Sequence, residues 1–452
     1  MSLLMKIYYH SPIFLQNAFT TMQGYIYKRQ RFGSVYKQTL ESLKNRDYSD
    51  ERALRDYQNM RFRELVRYAK HNSDFYKEYY RGVNLSEINT VDDITKLPIL
   101  PKETVRQNLE KMYAVSPKEG LESNTSGTTG TSMKFYKTYK DSQRRMAYLD
   151  YFKYQHGFVA IKMKRASFTS SKIVPPKQKA KVFWRDNLAI RQRIYSGYHC
   201  KGNDIKYFVD NLNLFRPESL DGYPSALYEL ARYIIDKNIK LTFRPIAVFP
   251  TAETLLPHYK EAIEKAFNCP VRDQYASSEG APFITECKCG KLHYCVDTGV
   301  IEFMEDGEMV VTCFETHGTP LIRYEIGDRA FLSKEQNCQC GCKMPVVDRI
   351  EGRTLDFIQT KSHGKMTSIY LSLVSSDFNN SVKAMQFIQN DTESVDIYLV
   401  TDENYTRDMD KIILDKMNYN LGDDMEYRIH LVNELHKEKS GKCRLIINKV
   451  SK

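Results

Sequence analysis

Residues 123–132, a run of hydroxyl side chains and glycines, carry the clearest chemistry in this chain. Glycine lets backbone N–H groups turn toward an anion, and serine and threonine hydroxyls donate to phosphate oxygens. Lys134 follows with a positive charge. The segment therefore predicts a loop that holds a polyphosphate, although it lacks the G-x-x-x-x-G-K-[ST] pattern of P-loop NTPases. A polar surface loop is the alternative that the segment alone leaves open.

Cysteines form two clusters, at residues 287–295 and 338–342. Each contains a C-x-C-G turn, and two such turns side by side would supply the soft ligands that a tetrahedral structural Zn²⁺ prefers. The expected ligands are Cys287, Cys289, Cys338 and Cys340, with His293 as a substitute for one of them. Disulfides are the alternative, which a reducing cytosol disfavours. The spacing differs from C-x₂-C finger modules, so a DNA-reading finger is not expected.

Hydrophobic periodicity predicts an α/β chain. Helical spacing covers residues 50–83, and a strand at 246–249, a helix at 257–266 and a strand at 271–275 form a predicted β-α-β unit. Alternation around Asp306-Gly307 predicts a hairpin of residues 300–304 and 309–314. Beyond residue 357 the pattern predicts a small α+β domain with the following elements: strands at 385–388, 395–400 and 427–432 and a helix at 407–418.

Composition indicates a globular intracellular protein. The 452 residues suffice for two or three domains, and the formal charge of +11 is spread along the chain without a long basic block. We expect no nucleic-acid partner, no stable membrane insertion and a cytoplasmic location, because neither a signal peptide nor a long apolar run is visible. The aromatic, basic stretch 6–37 is interpreted as a helix packed on its own domain rather than as a membrane contact.

Four further segments follow the hydroxyl-rich loop in a fixed order: D-Q-Y-A-S-S-E-G at 273–280, R-Y-E-I-G-D at 323–328, G-R-T-L-D at 352–356 and K-S-G-K-C-R at 439–444. Together these segments resemble the signatures of the adenylate-forming superfamily: S-G-T-T-G, Y-G-x-T-E, R-x-G-D, G-R-x-D-D and a late G-K lysine. The chain is most similar to the phenylacetate–coenzyme A ligase branch, including its relatives associated with capsular polysaccharide loci. This resemblance runs from about residue 50 to the end.

The resemblance implies roles for individual residues. Glu279 would bind Mg²⁺, and Lys442 would contact the carboxylate and α-phosphate during catalysis. The residues expected to bind ATP are Thr125, Ser126, Gly127, Thr128, Thr129, Gly130, Tyr275, Ser278, Asp328 and Arg353. The acyl pocket is expected at Tyr223, Ala276 and Ser277, and lining this pocket is an alternative role for His293.

The resemblance also implies a domain organisation. A large mixed α/β N-terminal adenylation domain would span residues 1–351, a hinge 352–356, and a small mobile α+β lid 357–452. Relatives commonly carry Asp where this chain has Leu355, whereas Asp356 matches the pattern. The missing first carboxylate departs from the hinge pattern, and this departure bears on the second half-reaction more than on the first.

The implied activity is an acid–thiol ligase that uses ATP, Mg²⁺ and coenzyme A, with structural Zn²⁺, on a small-molecule carboxylic acid. It would form an acyl-adenylate and then a thioester, and the capsular relatives suggest capsular polysaccharide biosynthesis as the pathway. Two alternatives stay open: an adenylyltransferase that stops at AMP transfer, and a non-catalytic zinc-stabilised binding or scaffold protein. A homodimer is compatible with each of these activities.

Overall fold

The structure is a computed structural model that describes residues 3–124, 133–169, 171, 173–175, 178, 180–200, 202–253, 255, 257–352, 357–362, 364–367, 371, 381–436 and 445–450. Contacts between residues divide the chain into two compact units. The first unit comprises Met1–Glu122 and Phe135–Gly352, and the second comprises Ser123–Lys134 and Arg353–Lys452.

Helices dominate the start of the first unit: α1 (Leu3–His10), α2 (Ile13–Arg31), α3 (Ser34–Lys44), α4 (Glu51–Asn72), α5 (Asp74–Tyr79), α6 (Lys102–Met112) and, further on, α7 (Tyr139–Gln155). The helical segment predicted at 50–83 is divided into α4 and α5. The Ser73 side chain accepts a hydrogen bond from the backbone N–H of Tyr76, which starts a new helix directly after the old one ends. Two short strands, β1 (Leu121–Asn124) and β2 (Lys134–Lys137), precede and follow residues 125–132.

A five-stranded sheet forms the centre of the next part: β3 (Arg165–Thr169), β4 (Trp184–Asn187), β5 (Gln192–Ser196), β6 (Ser219–Gly222) and β7 (Ala247–Pro250), in the order β4-β5-β3-β6-β7. All its pairs are parallel except β4 with β5. The helices of this part are α8 (Ile205–Phe215), α9 (Pro224–Asp236) and α10 (Pro257–Phe267). Phe168, Tyr195 and Phe208 are buried together in its core, as expected for a sheet covered by helices.

A seven-stranded antiparallel sheet follows: β8 (Gln274–Tyr275), β9 (Ile284–Glu286), β10 (Leu292–Tyr294), β11 (Gly299–Phe303), β12 (Glu308–Cys313), β13 (Tyr324–Leu332) and β14 (Val346–Gly352). Its order is β11-β12-β13-β14-β10-β9-β8. The predicted hairpin is confirmed as β11 and β12. Gly307 turns it with a φ of +88°, a value that side-chain-bearing residues rarely adopt.

The strand predicted at 271–275 is corrected by the structure. Val271 makes a single parallel bridge to Val248 of β7, so only this residue continues the predicted β-α-β unit. Gln274 and Tyr275 instead pair with β9 in the antiparallel sheet. Val271 belongs to the parallel ladder and Gln274 already belongs to the antiparallel one. The chain therefore passes from one sheet to the other within residues 271–275.

The C-terminal domain is α+β, with these elements: β15 (Phe357–Thr360), β16 (Gly364–Thr367), β17 (Val382–Gln389), β18 (Ser394–Thr401), α11 (Asp408–Leu421), β19 (Glu426–Leu431) and β20 (Ile446–Asn448). Its main sheet has the order β19-β18-β17-β20. Phe387, Ile397 and Ile413 are fully buried between the sheet and α11. Each of the four elements predicted here is present, and the predicted fold class of a large N-terminal and a smaller C-terminal domain is confirmed.

Both ends of residues 437–444 are attached to the same strand, β17. The buried Gln386 side chain donates to the carbonyl of His436 at 3.0 Å and accepts from the His436 N–H at 3.0 Å. The next residue, Phe387, donates its N–H to the carbonyl of Leu445 at 2.7 Å. Adjacent residues of one strand therefore fix the two ends of this segment.

Candidate functional site

The predicted nucleotide residues Tyr275 and Asp328 meet at the end of β8. The Tyr275 hydroxyl donates to Oδ2 of Asp328 at 2.8 Å, although 53 residues separate the two in sequence. Burial, together with the negative charge of Asp328, raises the pKa of Tyr275 well above its ordinary value. The phenol therefore stays protonated and holds the carboxylate as a donor.

A tight turn follows β8 and carries Glu279. The Ser277 hydroxyl accepts from the N–H groups of Gly280 and Ala281 at 3.2 and 3.1 Å. Gly280 has a φ of +109°, and a Cβ there would lie 2.7 Å from the methyl group of Thr316. Only glycine fits this position, and the turn fixes Glu279 with 6% of its surface exposed. A carboxylate in such a position suits the coordination of a hard cation.

Two cations that the sequence did not reveal hold this turn. The buried Arg145 of α7 donates from Nη1 to the carbonyls of Gly280 and Ala281 at 2.7 and 3.1 Å. Lys137 donates to the carbonyl of Ser278 at 2.7 Å. Burial and the neighbouring charge of Arg145 lower the pKa of Lys137 to about 8, against the opposing effect of Glu279. No local pattern identifies these residues, because both lie more than a hundred residues before the turn.

We expect the substitution Arg145→Met to lower the free energy of unfolding by about 2–4 kcal/mol, because it leaves two buried carbonyl groups without donors. Methionine keeps most of the side-chain volume, so packing changes little. The neighbouring substitution Arg144→Met is the matched control, since Arg144 is partly exposed and reaches Glu315 only at 3.5 Å. Its cost should stay below about 1 kcal/mol. Urea unfolding of both variants measures the difference, and equal losses would contradict the role given to Arg145.

The residues predicted for the acyl pocket lie on two elements. Tyr223 directly follows β6 and precedes α9, while Ala276 and Ser277 follow β8. Ala276 packs in an apolar cluster with Tyr148 and Phe283. Tyr148 and Phe283 also line a cavity of about 570 Å³ between α7 and β9, whereas the predicted residues Tyr223, Ala276 and Ser277 do not line it. This volume is sufficient for a small organic acid.

A buried carboxylate, Asp297, also lines this cavity. Its Oδ2 accepts from Arg46 at 2.6 Å, whereas Oδ1 has no hydrogen-bond partner among the residues that the structure describes. Burial raises the pKa of Asp297 from its ordinary value, and the Arg46 charge opposes this shift. A buried acceptor of this kind favours a ligand that brings a hydroxyl or ammonium donor.

The two cysteine turns are brought side by side. The ligand atoms of Cys287, His293, Cys338 and Cys340 all lie within 4.8 Å of one another. Gly290 and Gly341 give the two turns the same conformation, with φ values of +80° and +79°. In each turn the glycine N–H donates to the carbonyl of the first cysteine, at 3.0 Å for Cys287 and 3.1 Å for Cys338.

The spacing of these four donors fits a tetrahedral zinc ion. Zn–S bonds of about 2.3 Å would separate two sulfur atoms by about 3.8 Å. Sγ of Cys287 and Sγ of Cys338 are 3.7 Å apart, and Sγ of Cys340 lies 3.5 Å from Nε2 of His293. Nδ1 of His293 is 2.9 Å from the carbonyl of Met344, which can only accept. Nδ1 therefore carries the proton and leaves the Nε2 lone pair for a metal.

The environment of Cys338 favours ionisation of its thiol. Burial opposes ionisation of Cys338, but hydrogen bonds from the Cys340 backbone and from His293 lower its pKa to about 7. Cys289, which the sequence favoured as a ligand, is not in the group of four residues whose ligand atoms lie within 4.8 Å of one another. His293, the predicted substitute, takes its place in the group.

A second group of acidic and histidine side chains lies beside α7. It consists of Asp141, Glu315 and His317. His317 Nδ1 is 2.6 Å from Asp141, and Glu315 accepts from Arg61 at 3.0 Å. Glu315 also pairs with Arg144, and Asp141 also accepts from the N–H of Thr138, so both carboxylates already have partners in the chain and this group is interpreted as structural.

Several predicted site residues lie outside the described part of the chain. These residues are Thr125, Ser126, Gly127, Thr128, Thr129, Gly130, Arg353 and Lys442. Of the predicted hinge, 352–356, only Gly352 is described, as the last residue of β14. Their roles stay predictions.

Comparisons with known proteins agree with this architecture. A family model for the CapK C-terminal domain matches residues 358–449. Along its whole length the chain is 43% identical over 454 residues to Protein CapK of Staphylococcus aureus, which covers 98% of this chain and 99% of that protein.

Solved structures of a 2-hydroxyisobutyryl-CoA ligase have the same fold. The ligase in the postadenylation state with R3-HIB-AMP gives a TM-score of 0.56 at 15% identity, over 89% of this chain and 91% of that chain. The complex with 2-HIB-AMP and CoA in the thioesterification state gives 0.58 at 16% identity, with the same coverage. The resemblance to adenylate-forming enzymes drawn from the motifs is confirmed at the level of the fold.

Proposed function

The chain belongs to the CapK family, and we propose that it activates a small carboxylic acid with ATP and transfers the acyl group to the thiol of coenzyme A. The observation that carries this proposal is the meeting of Tyr275 and Asp328 beside the turn of Glu279. Two separate motifs thereby converge where the chain passes between its two sheets. Solved ligases with the same fold, captured with an acyl-AMP and CoA, support the same reaction.

In the first step a carboxylate oxygen attacks the α-phosphorus of ATP, an acyl-AMP forms and pyrophosphate leaves. Glu279 would hold Mg²⁺, which neutralises charge on the phosphates when it is bound. Asp328, oriented by Tyr275, would accept hydrogen bonds from the ribose hydroxyls. Ser278 and Arg353 would bind the nucleotide, and the hydroxyl-rich loop 125–130 the β- and γ-phosphates.

In the second step the thiol of coenzyme A attacks the acyl carbon, a thioester forms, and AMP and a proton leave. We propose that residues 352–356 act as the hinge and 357–452 as the lid that presents Lys442 during adenylation. The acyl group would occupy the cavity lined by Tyr148 and Phe283, where a hydroxyl or ammonium substituent could donate to Asp297. A role of the product in capsular polysaccharide biosynthesis is part of the same proposal.

The cysteine cluster would bind one structural zinc ion through Cys287, His293, Cys338 and Cys340. The four donors come from the β9–β10 hairpin and from the loop before β14. A metal there would fasten two segments of the antiparallel sheet. The same hairpin lines the 570 Å³ cavity, so the metal would also fix one wall of the proposed acyl site.

A pyrophosphate-release assay tests the activity over aryl, short-chain, hydroxy and amino acids with ATP and Mg²⁺, with and without coenzyme A. We expect release that depends on one acid and turns over repeatedly only with the thiol. Lys442→Ala should lower this release by about 100-fold or more, because it removes the cation expected at the transition state. Lys439→Ala in the same segment is the matched control and should retain activity.

Other results would identify the alternatives. Pyrophosphate release that does not depend on coenzyme A would favour an adenylyltransferase that stops at AMP transfer. Full activity of the Lys442→Ala variant would contradict the mechanism. No release with any acid of the panel would favour a binding or scaffold role for the fold.

A further inference from the structure

Helix α2 packs on the protein through polar side chains. Oε1 of the buried Gln16 accepts from Nε of Arg185 at 2.6 Å. Oδ1 of Asn17 accepts from the N–H of Asp186 at 2.9 Å, and the Thr21 hydroxyl donates to the Asp186 carbonyl at 3.2 Å. These contacts place one face of α2 against β4, and that face is held by hydrogen bonds rather than by apolar burial.

The opposite face of α2 is apolar and exposed. Phe14, Met22 and Ile26 expose 69%, 58% and 47% of their surface. The other large apolar side chains exposed on this helix are Leu15, Phe19, Tyr25 and Tyr27. An ordinary surface helix buries its apolar stripe and exposes its polar one. Helix α2 has the opposite arrangement, because its polar face packs on the protein and its apolar face is exposed. A contiguous exposed apolar face of this kind marks an interaction surface.

The charge of residues 1–40 indicates which kind of partner the apolar face of α2 would bind. Residues 1–40 contain Lys6, Lys28, Arg29, Arg31 and Lys37 but no aspartate or glutamate, the first acidic residue being Glu41. Arg29 and Arg31 are exposed near the end of α2. A self-complementary contact with a second copy would bring two such basic, acid-free regions together, which is electrostatically unfavourable. An apolar stripe bordered by cations instead complements a surface that is both apolar and negatively charged.

We propose that the outward face of α2, defined by Phe14, Leu15, Phe19, Met22, Tyr25 and Ile26, docks on an anionic lipid bilayer. The 19 residues of α2 would lie in the plane of the interface, with the apolar side chains entering the acyl boundary and the cations contacting lipid phosphates. Tyrosine and phenylalanine rings suit this depth. Within the described residues, no helix combines the length and apolar character needed to cross a membrane.

Co-sedimentation of the full chain with lipid vesicles tests this proposal. We expect binding to vesicles of phosphatidylcholine with phosphatidylglycerol, weaker binding to phosphatidylcholine alone, and a decrease as salt is raised, because exposed charges are screened. Met22→Glu should weaken binding by about tenfold or more, since it removes apolar area and adds a repelled charge. Leu214→Glu on α8, where the side chain is 80% exposed, is the matched control and should bind like the wild type.

Thermal unfolding of both variants shows whether they fold, and exposed positions should leave the midpoint unchanged. The proposal would be overturned if a folded Met22→Glu variant bound vesicles as well as the wild type does. Failure of the wild type to bind anionic vesicles would also overturn it. Light scattering after size exclusion gives the oligomeric state. A dimer that Met22→Glu dissociates, without vesicle binding by the wild type, would assign the face to a second copy and overturn the lipid proposal.

Discussion

Replacing Glu279 with glutamine is expected to lower acid-dependent pyrophosphate release about 100- to 1,000-fold, the range seen when one preorganised electrostatic contact is removed from a reacting centre. Glutamine has the same shape, so the turn held by Ser277 and Arg145 should persist. An amide oxygen is a weaker ligand for Mg²⁺ than a carboxylate. Raising the Mg²⁺ concentration should therefore restore part of the rate in the variant, and a Mg²⁺ titration of initial rates measures this.

Glu305→Gln makes the same chemical change at an exposed position in the β11–β12 turn. This control should keep the wild-type rate and the wild-type Mg²⁺ dependence. If Glu279→Gln loses activity but its Mg²⁺ dependence is unchanged, the carboxylate acts on the fold of the turn and not on the metal. A variant that keeps more than about a tenth of the rate would contradict both roles.

Loss of the metal is expected when any of the four clustered donors is removed. The variants Cys287→Ser and His293→Ala should each purify with well under one zinc per chain, because a three-donor site binds zinc far more weakly. We expect their unfolding midpoint to fall by about 5–10 °C, since the clip joins two segments that otherwise rely on short strands. Metal analysis after anaerobic purification, followed by a thermal scan, measures both effects.

The variant Cys289→Ser distinguishes the four donors that the structure brings together from the four cysteines that the sequence favoured. Cys289 lies outside the group of four donors, so we expect its replacement to leave the zinc content and the midpoint unchanged. Retention of zinc in Cys289→Ser and its loss in His293→Ala would support the mixed Cys₃His site. The reverse result would favour the four cysteines, and absence of zinc from the wild type would leave the site without support.

The sequence predicted the C-terminal elements, the β11–β12 hairpin and α10 because each has a local period or turn signal. Predictions from the sequence were wrong where contacts with residues distant in the chain decide the local structure. Whether residues 271–275 join the parallel or the antiparallel sheet depends on β9, and neither choice changes the local pattern. Helix α4 ends at Asn72 because Ser73 caps α5, although apolar spacing continues through the break.

The candidate site likewise combines residues that motifs identify with residues that only the fold brings there. Motifs identified Tyr275, Glu279 and Asp328, but the cations that hold their turn come from α7 and the strand before it. Nothing around Arg145 in sequence indicates that its guanidinium lies against carbonyls 135 and 136 residues further on. His293 joins the cysteine group through the pairing of β10 with β14, where it is opposite Val346. Spacing within a turn cannot reveal such a pairing.

Gln386 and Phe387, neighbouring residues of β17, hold residues 436 and 445 and so fix the two ends of the eight residues between them. The entropy of closing that eight-residue segment is already compensated by the sheet, and it changes little with the residues inside. We expect the hydrogen bonds to β17 to persist when residues between 436 and 445 are exchanged, provided that the number of residues is kept. The segment that contains the proposed catalytic lysine is therefore anchored at both ends through backbone groups of His436 and Leu445, which do not depend on the side chains between them.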